Sequence, residues 1–168
     1  MAADLEGVRT AFAERLRQAA RLRSAALVRA SATVPREHFV GPGPWRTLAL
    51  PDLKYRDTPD GNPYHLYDDV LVAIDASRGI NNGQPGALAR WLDTLDSAPG
   101  ESSLHIGCGV GYYTAIIAEA LFQNGKVFGI EIDAELAGRA SRSFSGYPIC
   151  RLEEALDALL ARKLVLAQ

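Results

Sequence analysis

Apolar residues recur every three or four positions from Leu5 to Ala30, at Leu5, Val8, Phe12, Leu16, Ala19, Ala20 and Leu27. That spacing predicts one amphipathic helix burying a single stripe. Arg9, Arg15, Arg17, Arg21, Arg23 and Arg29 take much of the remaining surface, but Asp4, Glu6 and Glu14 interleave with them. The pattern reads as a solvated face with aliphatic arginine stems, not as a nucleic-acid interface. A short helix is expected over Pro35 to Phe39, with Thr33 near its cap and the proline tolerated in the first turn. Gly41-Pro42-Gly43-Pro44 stops regular structure, and the proline- and glycine-rich stretch from Pro51 to Pro63 predicts an irregular surface segment. Val70 to Ile74 is a β-branched, apolar run that predicts a strand, followed by a polar loop from Asp75 to Gly83. Pro85 then opens a helix with Leu88, Trp91, Leu92 and Leu95 on one face, closed by Pro99-Gly100.

Beyond Gly100 the pattern changes. A strand over Ser103 to Ile106 leads into a glycine-rich turn and a helix from about Tyr112 to Phe122. An Asn124-Gly125 turn, a strand over Val127 to Ile132 and a helix from Ala134 to Phe144 capped by Asp133 follow. This β-α-β-α alternation implies parallel strands with helices on the sheet faces, an α/β fold of the Rossmann-like kind. A third strand is expected at Tyr147 to Cys150, then a helix carrying Leu152, Leu156, Leu159 and Leu160, and a fourth strand at Lys163 to Ala167. The chain divides into residues 1–99, helices and loops, and residues 100–168, the α/β half, within one structural domain.

Composition narrows the class. The 168 residues are 48% apolar and 23% charged, with a formal charge of −2, which fits a packed globular domain without a general pull toward nucleic acid or an anionic membrane. Only Cys108 and Cys150 are present, with no metal-ligand spacing, so no disulfide framework and no metal site are expected, and a reducing cytoplasm fits best. The first residues do not read as a secretory signal and no stretch approaches a membrane span.

The chemistry concentrates in Leu104-His105-Ile106-Gly107-Cys108-Gly109-Val110-Gly111-Tyr112-Tyr113, a strand running into a loop with glycines at alternate positions and then a helix. Glycine permits the sharp turn and lets a ligand lie on bare backbone, while N–H groups at the helix start receive electronegative atoms. Glu131 ends the next strand, where a carboxylate can accept hydrogen bonds from both hydroxyls of a ribose. A dinucleotide fold prefers a third glycine where Tyr112 stands, so the G-x-G-x-G spacing favours S-adenosylmethionine over NAD. Taken alone, such a turn is equally consistent with a tight connection; the strand, the helix and Glu131 shift the reading to binding. His105 and Cys108 read as packing residues, since neither an oriented base nor a second ligand pair accompanies them.

Val34-Pro35-Arg36-Glu37-His38-Phe39-Val40 resembles the V-P-R-x-x-F segment of protein-L-isoaspartate O-methyltransferases, and Tyr67-Asp68-Asp69, Gln84-Pro85, Leu104 to Tyr113 and Val127 to Glu131 resemble that family's later landmarks in order and spacing. The resemblance covers roughly Ser31 to Phe144. It implies a class I methyltransferase fold, a parallel central sheet with an N-terminal helical extension, and methyl transfer from S-adenosylmethionine to a protein or peptide carboxylate. Gly107, Cys108, Gly109, Gly111, Glu131 and Ile132 are then the cofactor positions. Three departures stand out. Asn81-Asn82-Gly83 replaces the family's Thr-Ile-Ser, leaving Asn81, Asn82 and Gln84 as substrate-loop candidates, with no catalytic residue assigned. His105 stands where the family usually has an acid. No Asp-Gly adenine-contacting turn follows Cys150, which suggests an incomplete sheet, completed by a homodimer or a partner chain if it is completed at all. A carboxylate acceptor needs no general base; a hydroxyl or amine acceptor would, and His65 and His38 are the first places to look. The alternatives are a cofactor-binding module without turnover that acts with a partner, and an NAD-dependent oxidoreductase, which Tyr112 disfavours.

Overall fold

The structure, a computed structural model, describes residues 4–49, 54–121, 125–143 and 149–151. The single helix expected over Leu5 to Ala30 is in fact two, α1 (Leu5–Ala20) and α2 (Ala25–Thr33). The break falls at Arg21, in the left-handed region at φ 54°, and Leu22 N–H returns to the Arg17 carbonyl at 3.0 Å. No glycine or proline marks the position, so the periodicity runs through it unbroken. The cause is tertiary. Asp93, from the later helix α4 (Pro85–Thr94), accepts the backbone N–H groups of Arg23 at 3.1 Å and Ser24 at 2.8 Å, and the Ser24 hydroxyl accepts from Leu27 N–H at 3.2 Å to start α2.

The next helix, α3, spans Glu37–Val40, and Thr33 does not cap it: the Thr33 hydroxyl donates to the Arg29 carbonyl at 3.0 Å, inside α2. Between residues 46 and 81, where one strand and two irregular segments were expected, lies a four-stranded antiparallel sheet. It comprises β1 (Arg46–Ala49), β2 (Tyr55–Asp57), β3 (Val70–Asp75) and β4 (Ile80–Asn81) in the order β2-β1-β3-β4. Of β1 only Leu48 is buried, so the strand shows no two-residue period to read. Val40, Trp45, Leu66 and Val72 form the core beneath it.

Helix α4 also differs from expectation. Trp91 and Leu95, placed on its apolar face by spacing, are 64% and 62% exposed, while Pro85, Ala89 and Asp93 are buried. Polar anchors set its rotation: Asp69 accepts Gly86 N–H at 2.6 Å at one end, and Asp93 is captured by Arg23 and Ser24 at the other.

The second half follows the predicted alternation: β5 (Ser102–Ile106), α5 (Tyr112–Ala120), β6 (Lys126–Glu131), α6 (Ala134–Ser143) and β7 (Ile149–Arg151). The strands are parallel in the order β5-β6-β7, with Ile106 beside Ile130 and Glu131 beside Arg151. Asp133 caps α6 as expected, accepting from Glu135 N–H at 2.9 Å and Leu136 N–H at 3.0 Å. Phe122, Asn124, Phe144, the helix expected after Leu152 and the strand expected at Lys163 to Ala167 fall outside the described residues. The main core joins the halves by packing Leu27, Ala30, Val34 and Phe39 against Val110, Tyr112, Ala115, Ile116 and Val127. Among the described residues, no helix is long and apolar enough to cross a membrane.

Candidate functional site

At the carboxyl end of β5 the chain turns through Gly107, Gly109 and Gly111, at φ 72°, 56° and 90°, a region L side chains seldom occupy. The turn is fixed from the neighbouring strand. Gly107 and Cys108 N–H groups donate to the Ile130 carbonyl at 2.8 and 3.0 Å, and Gly111 N–H donates to the Cys108 carbonyl at 2.9 Å. A Cβ built on Gly107 or Gly109 would meet nothing within 4 Å, so open space lies over the loop. Helix α5 begins directly afterwards, and its preceding residue, Gly111, supplies no side-chain cap.

Glu131 lies alongside this loop, 9% exposed. One carboxylate oxygen accepts Gly109 N–H at 2.7 Å and the other accepts Asp133 N–H at 3.0 Å. The acid therefore ties the glycine loop to the β6–α6 turn. A carboxylate offers about four acceptor positions, so two backbone bonds leave capacity for hydroxyl donors. Ile132, the next residue, is 84% exposed, and Ile106, at the end of the adjacent strand, is 67% exposed.

A cavity of about 170 Å³ opens between the glycine loop and the turn after β4. Its walls include Ile80, Asn81, Asn82 and Gly83 on one side and His105, Gly107, Cys108, Gly109 and Tyr113 on the other. Of the three substrate-loop candidates, Asn81 and Asn82 thus reach the cavity. Gln84 does not line it: its amide donates to Asp69 at 2.9 Å, alongside the Asp69 bond to Gly86 N–H. Asn81 uses its carbonyl oxygen to accept Gly83 N–H at 2.9 Å, which shapes the turn. A second cavity, of about 180 Å³, lies away from the glycine loop, between α2, α4 and α5.

His105 and Cys108 both line the cavity. His105 Nδ1 lies 2.9 Å from the Thr114 hydroxyl, and burial lowers its pKa against the opposing pull of Glu131. Burial, aided by Glu131, pushes the Cys108 thiol up to about 11, which keeps it protonated and a poor nucleophile. No group of His, Cys, Asp or Glu that could hold a metal occurs among the described residues. His65 pairs with Asp60 at 2.9 Å, and neither it nor His38 lines the cavity, so the structure brings no histidine base from those positions to the loop.

Two residues at the site escaped the sequence reading of individual positions. Arg36 is 0% exposed, and its guanidinium donates to the carbonyls of Leu66 and Val70 at 2.7 Å, of Asp68 at 3.3 Å and of Gly83 at 3.4 Å. Its place in the V-P-R motif was the only signal. Arg78 pairs with Asp75 at 2.6 Å and with Asp133, bridging the β3–β4 turn to the N-terminus of α6. Nothing in the sequence marked that pairing.

The family model for protein-L-isoaspartate(D-aspartate) O-methyltransferase matches residues 8–149. A protein-L-isoaspartate O-methyltransferase from Aeropyrum pernix is 32% identical over 141 residues, which is 83% of this chain and 46% of that protein. The chain therefore spans less than half the length of that relative. A solved protein-L-isoaspartate O-methyltransferase superposes with a TM-score of 0.60 at 20% identity, over 80% of this chain and 37% of the other. A structure described as a protein-L-isoaspartate O-methyltransferase of Plasmodium falciparum, in complex with S-adenosyl-L-homocysteine, superposes with a TM-score of 0.58 at 19% identity, over 80% of this chain and 54% of the other. These two likenesses carry the fold.

Proposed function

We propose that this chain, which belongs to the protein-L-isoaspartate(D-aspartate) O-methyltransferase family, binds S-adenosylmethionine and supports methyl transfer to a carboxylate of a protein or peptide. The observation that carries the reading is the glycine loop of positive-φ residues, open above Gly107 and Gly109 and bonded to Glu131 through Gly109 N–H. The residues suit the cofactor. Gly107, Cys108, Gly109 and Gly111 would hold it against bare backbone, Glu131 has acceptor capacity left for ribose hydroxyls, and the exposed side chains of Ile106 and Ile132 offer apolar surface beside it. When bound, S-adenosylmethionine supplies an electrophilic methyl on sulfur. The chain's part is to position and to exclude water. A carboxylate is already nucleophilic at neutral pH, so the lack of a histidine from positions 38 or 65 at the cavity is no obstacle.

In this reading residues 1–99 form the substrate side and residues 100–168 the cofactor side, in a cytoplasmic protein whose sheet a second copy or a partner chain could extend. The test is calorimetric titration with S-adenosyl-L-homocysteine of the chain and of Glu131→Ala. Saturable binding weakened by the variant supports the reading and leads to an acceptor assay with isoaspartyl peptides. Binding without transfer to any carboxylate would instead make the chain a cofactor-binding module, and tight NAD binding alone would overturn both.

A further inference from the structure

Asn82 is 7% exposed, and its backbone N–H donates to the Val72 carbonyl at 2.8 Å, but its side-chain Nδ2 has no partner among the described residues. The Tyr113 hydroxyl is likewise buried without a partner among the described residues. Buried polar groups are nearly always bonded, because an unpaired one forfeits its hydration for nothing. Both residues line the cavity over the glycine loop. They approach it from different elements, Asn82 from the connection after β4 and Tyr113 from the first turn of α5. Gly83 lets the two walls close: a Cβ there would come within 3.4 Å of the Tyr113 ring and 3.2 Å of Leu88.

A cation without a carboxylate partner lies beside the pair. The Arg36 guanidinium, bonded to the Gly83 carbonyl, engages only carbonyl oxygens and the face of Tyr112, 5.9 Å from the ring centroid, so its charge has no carboxylate partner among the described residues. The nearby acids are held by other donors, Asp69 by Gln84 and Gly86 N–H and Glu131 by Gly109 and Asp133 N–H. Burial also pushes the Tyr113 phenol well above its ordinary value, so the hydroxyl stays a donor at neutral pH. Much of the remaining lining is apolar: Ile74, Ile80, Leu88, Val110 and Leu136.

We infer that the Asn82 carboxamide and the Tyr113 hydroxyl form a carboxylate-binding pair, each donating one hydrogen bond to a carboxylate that enters the cavity. The inference rests on the methyltransferase reading, in which two carboxylates reach this place: the α-carboxylate on the methionyl arm of the cofactor, and the acceptor carboxylate of the substrate. Asn82 and Tyr113 are positioning groups in either case, since neither needs to gain or lose a proton.

The test titrates the wild-type chain, Asn82→Asp and Tyr113→Phe with two ligands: S-adenosyl-L-homocysteine, and 5′-methylthioadenosine, which lacks the carboxylate. An isoaspartyl peptide is then titrated in the presence of the first ligand. A thermal melt accompanies each variant, and Tyr113→Phe, which removes one oxygen, guards against a folding defect in Asn82→Asp. Loss of a hydrogen bond to a charged group predicts weakening by about tenfold or more. Weakening confined to S-adenosyl-L-homocysteine, with 5′-methylthioadenosine unaffected, identifies the cofactor carboxylate. Unchanged binding of both nucleosides with weakened peptide binding identifies the acceptor carboxylate. Equal weakening of both nucleosides, or no change in any titration, overturns the pair and leaves the methyltransferase reading standing. A wild-type chain that binds neither nucleoside overturns both.

Discussion

In the parallel sheet the middle strand β6 buries Val127, Gly129, Ile130 and Glu131, whereas in the antiparallel sheet Leu48 and Val72 are the buried strand residues. The parallel half is built by strands and helices that cover each other with apolar side chains, as parallel sheets generally are. The antiparallel half is instead pinned by long-range polar ties. Arg36 gathers four carbonyls from three segments, Arg15 donates to the Tyr67 carbonyl at 2.7 Å, and Asp93 holds the Arg23 and Ser24 N–H groups at the break before α2 from another helix. The difference teaches that the two halves should fail in different ways, the first through packing and backbone conformation and the second through single polar groups.

The largest effect should come from Arg36→Met. The stem's volume is roughly kept, but the Leu66 and Val70 carbonyls lose 2.7 Å donors in a buried setting. Leaving two such groups unsatisfied should cost about 3 kcal/mol or more in urea denaturation. Arg36→Lys should recover only part of this, because an ammonium cannot span the same set of carbonyls. A loss below about 1 kcal/mol would mean that the apolar core carries this half after all.

Asp93→Ala comes next. It removes the acceptor for Arg23 and Ser24 N–H at the break between α1 and α2, and should cost about 1–2 kcal/mol. Burial works against the charged form of Asp93, but the bonds from Ser24 and Arg23 outweigh it and hold the carboxyl below its ordinary value. A folded value below the unfolded one stabilises the protein above the unfolded value, and that contribution disappears as pH falls through the folded one. The gap between wild type and Asp93→Ala should therefore be constant near neutrality and close progressively below about pH 4. Denaturation curves taken across that range check the sign.

These ties explain what could be read in the sequence. The β5–α5–β6–α6 run was legible because its instructions are local: alternate glycines from Gly107 to Gly111, an acid at the end of the next strand, and Asp133 two residues later at a helix start. The split at Arg21 was not legible, because the groups that cause it lie some seventy residues away, at Asp93. The same holds for α4, where spacing pointed to Trp91 and Leu95 but Asp69 and Asp93 set the rotation. Strands β1 and β2 have too few buried positions to show a period. At the candidate site, Asn81, Asn82, the glycines and Glu131 were picked out from their positions, while Tyr113 and Arg78 matter only through neighbours that the fold supplies.

Gly109→Ala separates the parallel half's stability from its chemistry. At φ 56° an alanine carries backbone strain of about 1 kcal/mol, yet its Cβ meets no protein atom within 4 Å. The melting temperature should fall only modestly. Binding of S-adenosyl-L-homocysteine should fall far more, because the methyl group occupies the space over the loop. Equal small losses in both would show that the ligand does not lie on this backbone.

The smallest effect on folding should come from Arg78→Gln, and it sharpens the comparison because Arg78 joins the two halves. It links Asp75, at the end of β3, to Asp133, whose N–H also holds Glu131. The Arg78 side chain is 45% exposed, so solvent and salt weaken its pairs, and the denaturation midpoint should scarcely move. Its tie through Asp133 to Glu131 gives it a different sensitivity. Asp133 N–H donates to the Glu131 carboxylate, so the bridge steadies the turn that holds the residue proposed to meet the cofactor ribose. Stopped-flow release of S-adenosyl-L-homocysteine should be faster in Arg78→Gln by up to about fivefold, the range that an exposed ion pair can supply. The difference should vanish near 1 M salt, where charges are screened over about 3 Å. If the variant unfolds as readily as Arg36→Met while release is unchanged, Arg78 is one more structural tie of the antiparallel half, and the bridge does not act on the cofactor site.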